Sequence, residues 1–399
     1  QSTTAFSVHA SSSSSSTSDD RVTFVDTPGH AAFSTMRESG INSTDILVLV
    51  VAADDGVMEQ TIESATAAKD NGIPIVVAIT KCDINGIDAE KATANIEQDL
   101  SDNGIICENL GGDVQVCCVS GLTGEGQDNL IETLALQSEM MGLKANKKAP
   151  AEAVVLEGSF TKGVGPVADV VVQWGTLKTR DFVVVGETYG RVKSLVDCSG
   201  KRVKVAPPST PVRVMGLNEV PKSGSDLIVV NSLEEAREAA EAYKMRAEWS
   251  TMVLKSNEAD ELEKQAKIAT GGNGSVAAAE AMMAVELNEG EEEPEVFFCD
   301  VIVSTSSDGG LAAVQTCLDN ITNDTGVTFS VLRSIVGEMS PSDVEEAAAS
   351  GAMVLAFNTK ITGQIKKAAQ NHHVQIESYD LIYKLEDKLR DTAYDILPT

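Results

Sequence analysis

The chain has 399 residues, enough for several domains, and its 42% hydrophobic content with few aromatics is ordinary for a folded protein. No stretch approaches the roughly 18 apolar residues that span a bilayer. A formal net charge of −29 with scattered Lys and Arg excludes a broad basic face for nucleic acid, so any RNA contact must be local, at a domain tip.

In chain order, Ala5–Val8 and Arg21–Val25 read as two strands joined by a polar loop that holds the Ser11–Ser16 run. A targeting peptide fits that run less well, because no basic residue precedes Arg21. Arg21–Val25, with Ile46–Ala53, Ile73–Ile79 and Val114–Val119, also reads as an apolar, β-branched strand of the kind buried on both faces in a parallel sheet. Helical text at Glu59–Asn71 and Asp88–Asn103 separates them and makes βαβ units. After a polar linker at Lys144–Pro150, the Val-rich segment Ala153–Val230 is broken by Gly and Pro every eight to twelve residues or so, which predicts a small antiparallel barrel. Leu233–Ala269 reads as helix, and Thr270–Ser275 with the acidic run Glu286–Glu295 as solvated connector. Strands at Val296–Val303, Thr328–Leu332 and Ala352–Phe357 alternate with helices at Gly310–Leu318, Ser340–Ala349 and Gly363–Asn371, a second, smaller α/β unit. His372 and His373 fall in a polar turn, and the seven scattered cysteines make neither a Cys-x-x-Cys pair nor a Cys/His cluster, so free thiols are expected rather than a zinc site.

Three short segments carry chemistry. Asp26–His30 follows an apolar strand, at the end where open α/β sheets bind ligands. A carboxylate there can hold Mg²⁺ through water, and Gly29 lets a backbone N–H approach a phosphate oxygen. Thr80–Asp83 ends a second strand; an Asp carboxylate accepts from guanine N1–H and N2–H₂, which adenine does not offer, and a Lys stem can lie along the base. Ser120–Leu122 closes a third strand and places backbone amides where they can meet a guanine O6. Each alone also fits a surface turn. All three in order, each at a strand end, point to a guanine nucleotide site.

In Asp26–Phe33, Thr44–Met58 and Thr80–Asp83 the chain resembles bacterial-type translation initiation factor two, the bacterial and organellar GTPase of initiation. The resemblance continues through Gly163–Val167, Gly175–Leu177 and Pro211–Leu217, and more loosely through Ser340–Asp343 and Tyr379–Tyr383. It implies a truncated P-loop GTPase-type α/β sheet, a β-barrel and an αβα domain. The implied boundaries are 1–146 (partial GTP-binding domain), 147–232 (barrel), 233–295 (helical and acidic linker) and 296–399 (αβα domain). The resemblance further implies GTP and Mg²⁺ as ligands. Asp26 would hold the Mg²⁺-bound water, Thr27 and Pro28 would line the site, and Gly29 would sense the γ-phosphate. His30 would orient the attacking water. Lys81 and Asp83 would select guanine, with Thr80 beside them and Ser120, Gly121 and Leu122 completing the base pocket. Ribosomal subunits and initiator tRNA are the implied partners, with no membrane and no DNA, in a bacterial cytoplasm or an organelle.

The chain departs from that family in placing Thr80 where Asn is usual, Ser120-Gly121 where Ser-Ala is usual, and Thr179–Asp181 at a Gly-Asp turn. No G-x-x-x-x-G-K-[ST] phosphate loop occurs in the 399 residues. Gln1 matches the last residue of the family's Gly-Ile-Thr-Gln switch, and Pro398-Thr399 falls where the family continues into a barrel that binds initiator tRNA. The expectation is therefore a fragment of a larger product, itself inactive as a GTPase. A pseudo-GTPase that only binds ribosomes is a further reading, as is an elongation-type or eukaryotic/archaeal subunit-joining factor.

Overall fold

The structure, a computed structural model, describes residues 3–9, 21–84, 89–269 and 297–396. The expected Ser-rich loop, the glycine and acidic connectors and both chain ends lie outside the described residues.

Strands β1 (Thr4–His9) and β2 (Arg21–Asp26) form an antiparallel hairpin in register from Thr4↔Asp26 to His9↔Arg21. The β2 edge is tied to the barrel, since Thr23 Oγ1 donates to the Ser209 carbonyl at 2.6 Å. Helix α1 (Ser34–Asn42) follows, then β3 (Leu47–Ala52), α2 (Glu59–Asp70), β4 (Ile75–Thr80), α3 (Ala89–Asp102), β5 (Gln115–Cys118) and α4 (Gln127–Met141). Strands β3, β4 and β5 make a three-stranded parallel sheet in that order. Its inward residues, including Leu49, Val51, Val77 and Ile79, pack on Ala65, Ile96 and Leu100 of the helices.

One expectation is corrected here. Arg21–Val25 does not join the parallel sheet; among the described residues it pairs with β1 alone. Among the described residues no strand occupies the free edge of β2 or of β3, and Val50 of β3 is 59% exposed. A sequence pattern reports burial on both faces of a strand, not the neighbour it pairs with.

The Val-rich segment gives β6 (Glu152–Thr161), β7 (Gly165–Trp174), β8 (Leu177–Lys178), β9 (Phe182–Val185), β10 (Thr188–Asp197), β11 (Arg202–Val203), β12 (Val205–Ala206), β13 (Thr210–Leu217) and β14 (Asp226–Val230). The order β10-β13-β7-β6-β14-β9 closes on itself through the β9–β10 pairing, so the sheet is a barrel. Alternate residues such as Val155, Val170, Val172, Val183, Leu195 and Val214 fill its interior. Arg180 takes the left-handed backbone at the Thr179–Asp181 turn (φ 80°), a conformation glycine adopts without strain. Helix α5 (Leu233–Ala269) leaves the barrel, with Ala236 and Ala240 packed on Val184.

The last unit contains β15 (Phe297–Thr305), α6 (Asp308–Thr325), β16 (Val327–Val336), α7 (Pro341–Ser350), β17 (Met353–Phe357), α8 (Gly363–His372), β18 (Ile376–Tyr379) and α9 (Ile382–Ile396). Its four strands are parallel, ordered β16-β15-β17-β18, with β15 and β17 central; β17 is apolar and buried throughout, and β15 is buried from Val301 to Thr305. Ser340–Asp343 starts α7 as a capping box: the Ser340 amide donates to Asp343 Oδ2 at 2.7 Å and Pro341 opens the helix. His373 ends α8 in the left-handed conformation, and both histidines of the pair are exposed.

Helix α1 belongs to this last core as much as to its own. Ala32, Phe33 and Met36 sit in one apolar cluster with Val301, Val314, Leu318, Phe357, Ile382 and Leu385. Gly309 makes that approach feasible: a Cβ there would stand 1.9 Å from Met36 Cε.

Candidate functional site

Parallel strands end their carboxyl termini on one side of a sheet, and β4 and β5 do so in adjacent register, with Ile79 opposite Cys118. The Val119 amide donates to the Ile79 carbonyl at 2.8 Å, which holds the two following loops, 80–84 and 120–126, side by side. The sheet therefore brings Thr80, Lys81 and Asp83 next to Ser120, Gly121 and Leu122.

Within the first loop, Thr80 Oγ1 donates to the Val51 carbonyl of β3 at 3.5 Å, a long bond that ties the loop base to the next strand. Lys81 takes the left-handed region (φ 62°), uncommon for a residue with a Cβ and often found at functional sites. Its ammonium donates to both Asp54 oxygens at 2.7 Å and to Asp55 Oδ2 at 3.1 Å. Asp54 first, then Asp55, raises the lysine's proton affinity, and Lys81 in turn lowers that of Asp54. Cys82 turns inward and donates to the Ile79 carbonyl at 3.3 Å; burial, with Cys118 next to it, pushes its thiol up to about 11. Asp83 is exposed and its carboxylate makes no hydrogen bond or ion pair among the described residues.

In the second loop, Ser120 is 2% exposed and its Oγ accepts from the Leu122 and Thr123 amides at 3.3 and 3.1 Å. That local turn uses up the Leu122 amide and leaves the Gly121 amide without an acceptor among the described residues. A Cβ on Gly121 would meet nothing within 4 Å, so a planar ligand can approach the backbone there. Leu122 is 88% exposed.

Asp26, Thr27, Pro28, Gly29 and His30 lie apart from these loops, on the far end of the hairpin. Asp26 is the exposed last residue of β2, and Gly29 also faces open space. Helix α1 is what links the two halves. Arg37 Nη1 donates to the His30 carbonyl at 2.6 Å while its Nη2 pairs with Glu63 of α2 at 2.7 Å. The His30 ring accepts from the Ala32 amide at Nδ1 (2.9 Å), which puts the proton of the neutral ring on Nε2. The same ring stands edge-on to Tyr383, with centroids 4.2 Å apart and planes at 71°.

The first two loops offer an exposed carboxylate at Asp83 and an open amide at Gly121, the kinds of group that a guanine base requires. For Mg²⁺ the described residues contain no cluster of three His, Cys, Asp or Glu side chains. Asp26 alone fits an ion held through water and otherwise by a nucleotide's own oxygens. The motif spacing could not single out Asp54, Asp55, Arg37 or Tyr383. Asp54 and Asp55 do stand at a strand end next to the base-site strand, and that position was their one signal.

Residues 2–139 match the family model described as the elongation factor Tu GTP binding domain, residues 150–230 match elongation factor G domain 2, and residues 258–390 match translation-initiation factor 2. The chain is 39% identical over 374 residues to the chloroplastic translation initiation factor IF-2 of Arabidopsis thaliana, covering 94% of this chain and 34% of that protein. It is 39% identical over 376 residues to the translation initiation factor IF-2 of Ruthia magnifica, covering 94% of this chain and 43% of that one. The chain thus spans well under half the length of these relatives. A solved structure of GDP-bound aIF5B from Aeropyrum pernix superposes with a TM-score of 0.52 at 24% identity, over 94% of this chain and 64% of that one, a likeness of fold.

Proposed function

We propose that this chain, a relative of bacterial and chloroplast translation initiation factor IF-2 along 94% of its length, is the nucleotide-responsive part of a factor that binds and hydrolyses GTP during initiation. The observation that supports this best is the juxtaposition of Thr80–Asp83 with Ser120–Leu122 at the ends of β4 and β5. In this reading Asp83 accepts from guanine N1–H and N2–H₂. The Lys81 stem, held by Asp54 and Asp55, covers the base, and the Gly121 amide meets O6. Thr80 and Ser120 fix the loops from beneath, and Leu122 shields the base edge. Asp26 holds Mg²⁺ through water, and the ion, when bound, neutralises charge developing on the phosphates. Gly29, framed by Thr27 and Pro28, offers its amide to the γ-phosphate, and His30 orients the attacking water by donating from Nε2. In this reading the chain divides into 1–146, which carries the nucleotide, 147–232, the barrel, 233–295, the helical and acidic linker, and 296–399, the αβα domain.

The partners of this reading are the small and large ribosomal subunits, and initiator tRNA through a domain beyond these residues. The compartment is a bacterial cytoplasm or an organelle; no described helix is long and apolar enough to cross a membrane. The test is His30→Ala in the full-length protein, read by single-turnover hydrolysis with ribosomes and by GTP affinity. A water-orienting group acts in the transition state, so the rate falls by roughly 10²–10⁴-fold while affinity holds. Normal turnover in that variant removes His30 from the chemistry.

A further inference from the structure

We propose that Tyr383 is a positioning residue for His30: it holds the imidazole on the αβα unit, and turnover accelerates only when α1 carries His30 away from it. The inference rests on the GTPase reading above and names a control that reading does not contain.

Two independent features of the structure lead to it. The first is the ring contact itself. The centroids are 4.2 Å apart at 71°, an edge-to-face pair, whereas Phe33, three residues along the chain, is 6.3 Å from the same imidazole. His30 is held elsewhere as well, its backbone by the Arg37 guanidinium on its carbonyl and its ring by the Ala32 amide on Nδ1. The imidazole is therefore held beside Tyr383, and swinging it away means breaking these contacts together.

The second is how the segment is mounted. Phe33 and Met36, the next turn of chain, are buried at 1% and 3% exposure in the αβα core together with Ile382 and Leu385, the neighbours of Tyr383 on α9. His30 and Tyr383 are consequently moved apart or kept together by one packing decision, whether α1 stays docked on α6 and α9. Tyr383 itself is not a core residue. It is 56% exposed and its hydroxyl has no hydrogen-bond partner among the described residues, so little of its ring serves to fill space. Its close contact is with the histidine. An aromatic pair of this kind biases a two-state equilibrium modestly, enough to restrain a side chain without trapping it.

The first arm of the test uses the 399-residue chain with ¹³Cε1-labelled histidine, whose four imidazoles are His9, His30, His372 and His373. The His30 resonance is assigned with His30→Gln. Replacing the ring in Tyr383→Leu removes its ring current and shifts the His30 resonance, leaving those of His372 and His373 in place; Tyr383→Phe leaves all four. A His30 resonance unmoved in Tyr383→Leu overturns the contact. The second arm uses the full-length protein without ribosomes. Tyr383→Leu raises GTP turnover by roughly three- to tenfold, with GTP affinity unchanged, and Tyr383→Phe stays at the wild-type rate. Because the side chain is half-exposed the fold tolerates the change, and Tyr383→Gln gives a second, polar replacement with the same expected rise. A rate unchanged or lowered in both ringless variants, against a wild type that ribosomes do stimulate, overturns the proposal alone. A wild type that hydrolyses nothing even with ribosomes overturns the GTPase reading, and this control with it.

Discussion

Glu157 lies where the barrel meets the last unit, 4% exposed, with Oε1 unpartnered and the backbone of Ser159 bridged to Ser307 beside it. Burial pushes its carboxyl above the ordinary 4.5, against a smaller opposing effect from Ser307. A raised carboxyl binds its proton more tightly folded than unfolded, so the folded state gains below about pH 4.5 and loses that gain as pH rises through the folded value. Glu157→Gln removes the buried charge and should stabilise the protein by about 1 kcal/mol at neutral pH, with the advantage vanishing near pH 4. Thermal melts of both proteins at the two pH values check this; equal gains at both would locate the effect in packing. Asp83, Gly29 and Ser120 could be proposed from the sequence because each lies just beyond an apolar strand inside a short motif. Asp54, Asp55 and Tyr383 could not, because their partners are fixed by strand register and by packing across units.

At the scale of elements, the β-branched runs marked β3, β4 and β5 to within a residue or two, and Ser340-Pro341 marked the start of α7. Helix α1 escaped notice. Its sequence, STMRESGIN, carries little apolar periodicity, and its buried face is completed by a unit almost three hundred residues later in the sequence. The missing sheet partnership of β2 has a related cause, since pairing is a property of two strands and a pattern describes one. Phe33 makes the docking of α1 testable. Phe33→Ala should cost about 3–5 kcal/mol, and the loss should appear in the unfolding of the αβα unit as well as of the first. Denaturant unfolding followed by hydrogen exchange separates the two; a loss confined to residues 21–140 would mean that α1 is not part of the last core.

Across the whole molecule, local stability should follow how completely each sheet is enclosed. The barrel closes on itself and the four-stranded sheet is covered on both faces, whereas β3 has no partner on one edge among the described residues and has Val50 in solvent. Hydrogen exchange should therefore run faster in β3, β4 and β5 than in β6, β7 and β15, while α1 keeps the protection of the unit it is docked on. Uniform protection across the three sheets would contradict this. The large negative charge fits a protein that stays apart from other polyanions except at chosen contacts.

The most direct test of the guanine site is base preference in the full-length protein, measured by competition between guanosine and xanthosine diphosphates for the wild type and for Asp83→Asn. The amide presents a donor where the carboxylate presented an acceptor, opposing guanine N1–H and suiting a xanthine oxygen. Loss of a charge-assisted pair of about 1.5–3 kcal/mol predicts a guanine affinity lowered by roughly ten- to a hundredfold, with xanthine now preferred. A variant that still prefers guanine as strongly as the wild type would contradict the assignment of Asp83, and with it the base site at the ends of β4 and β5.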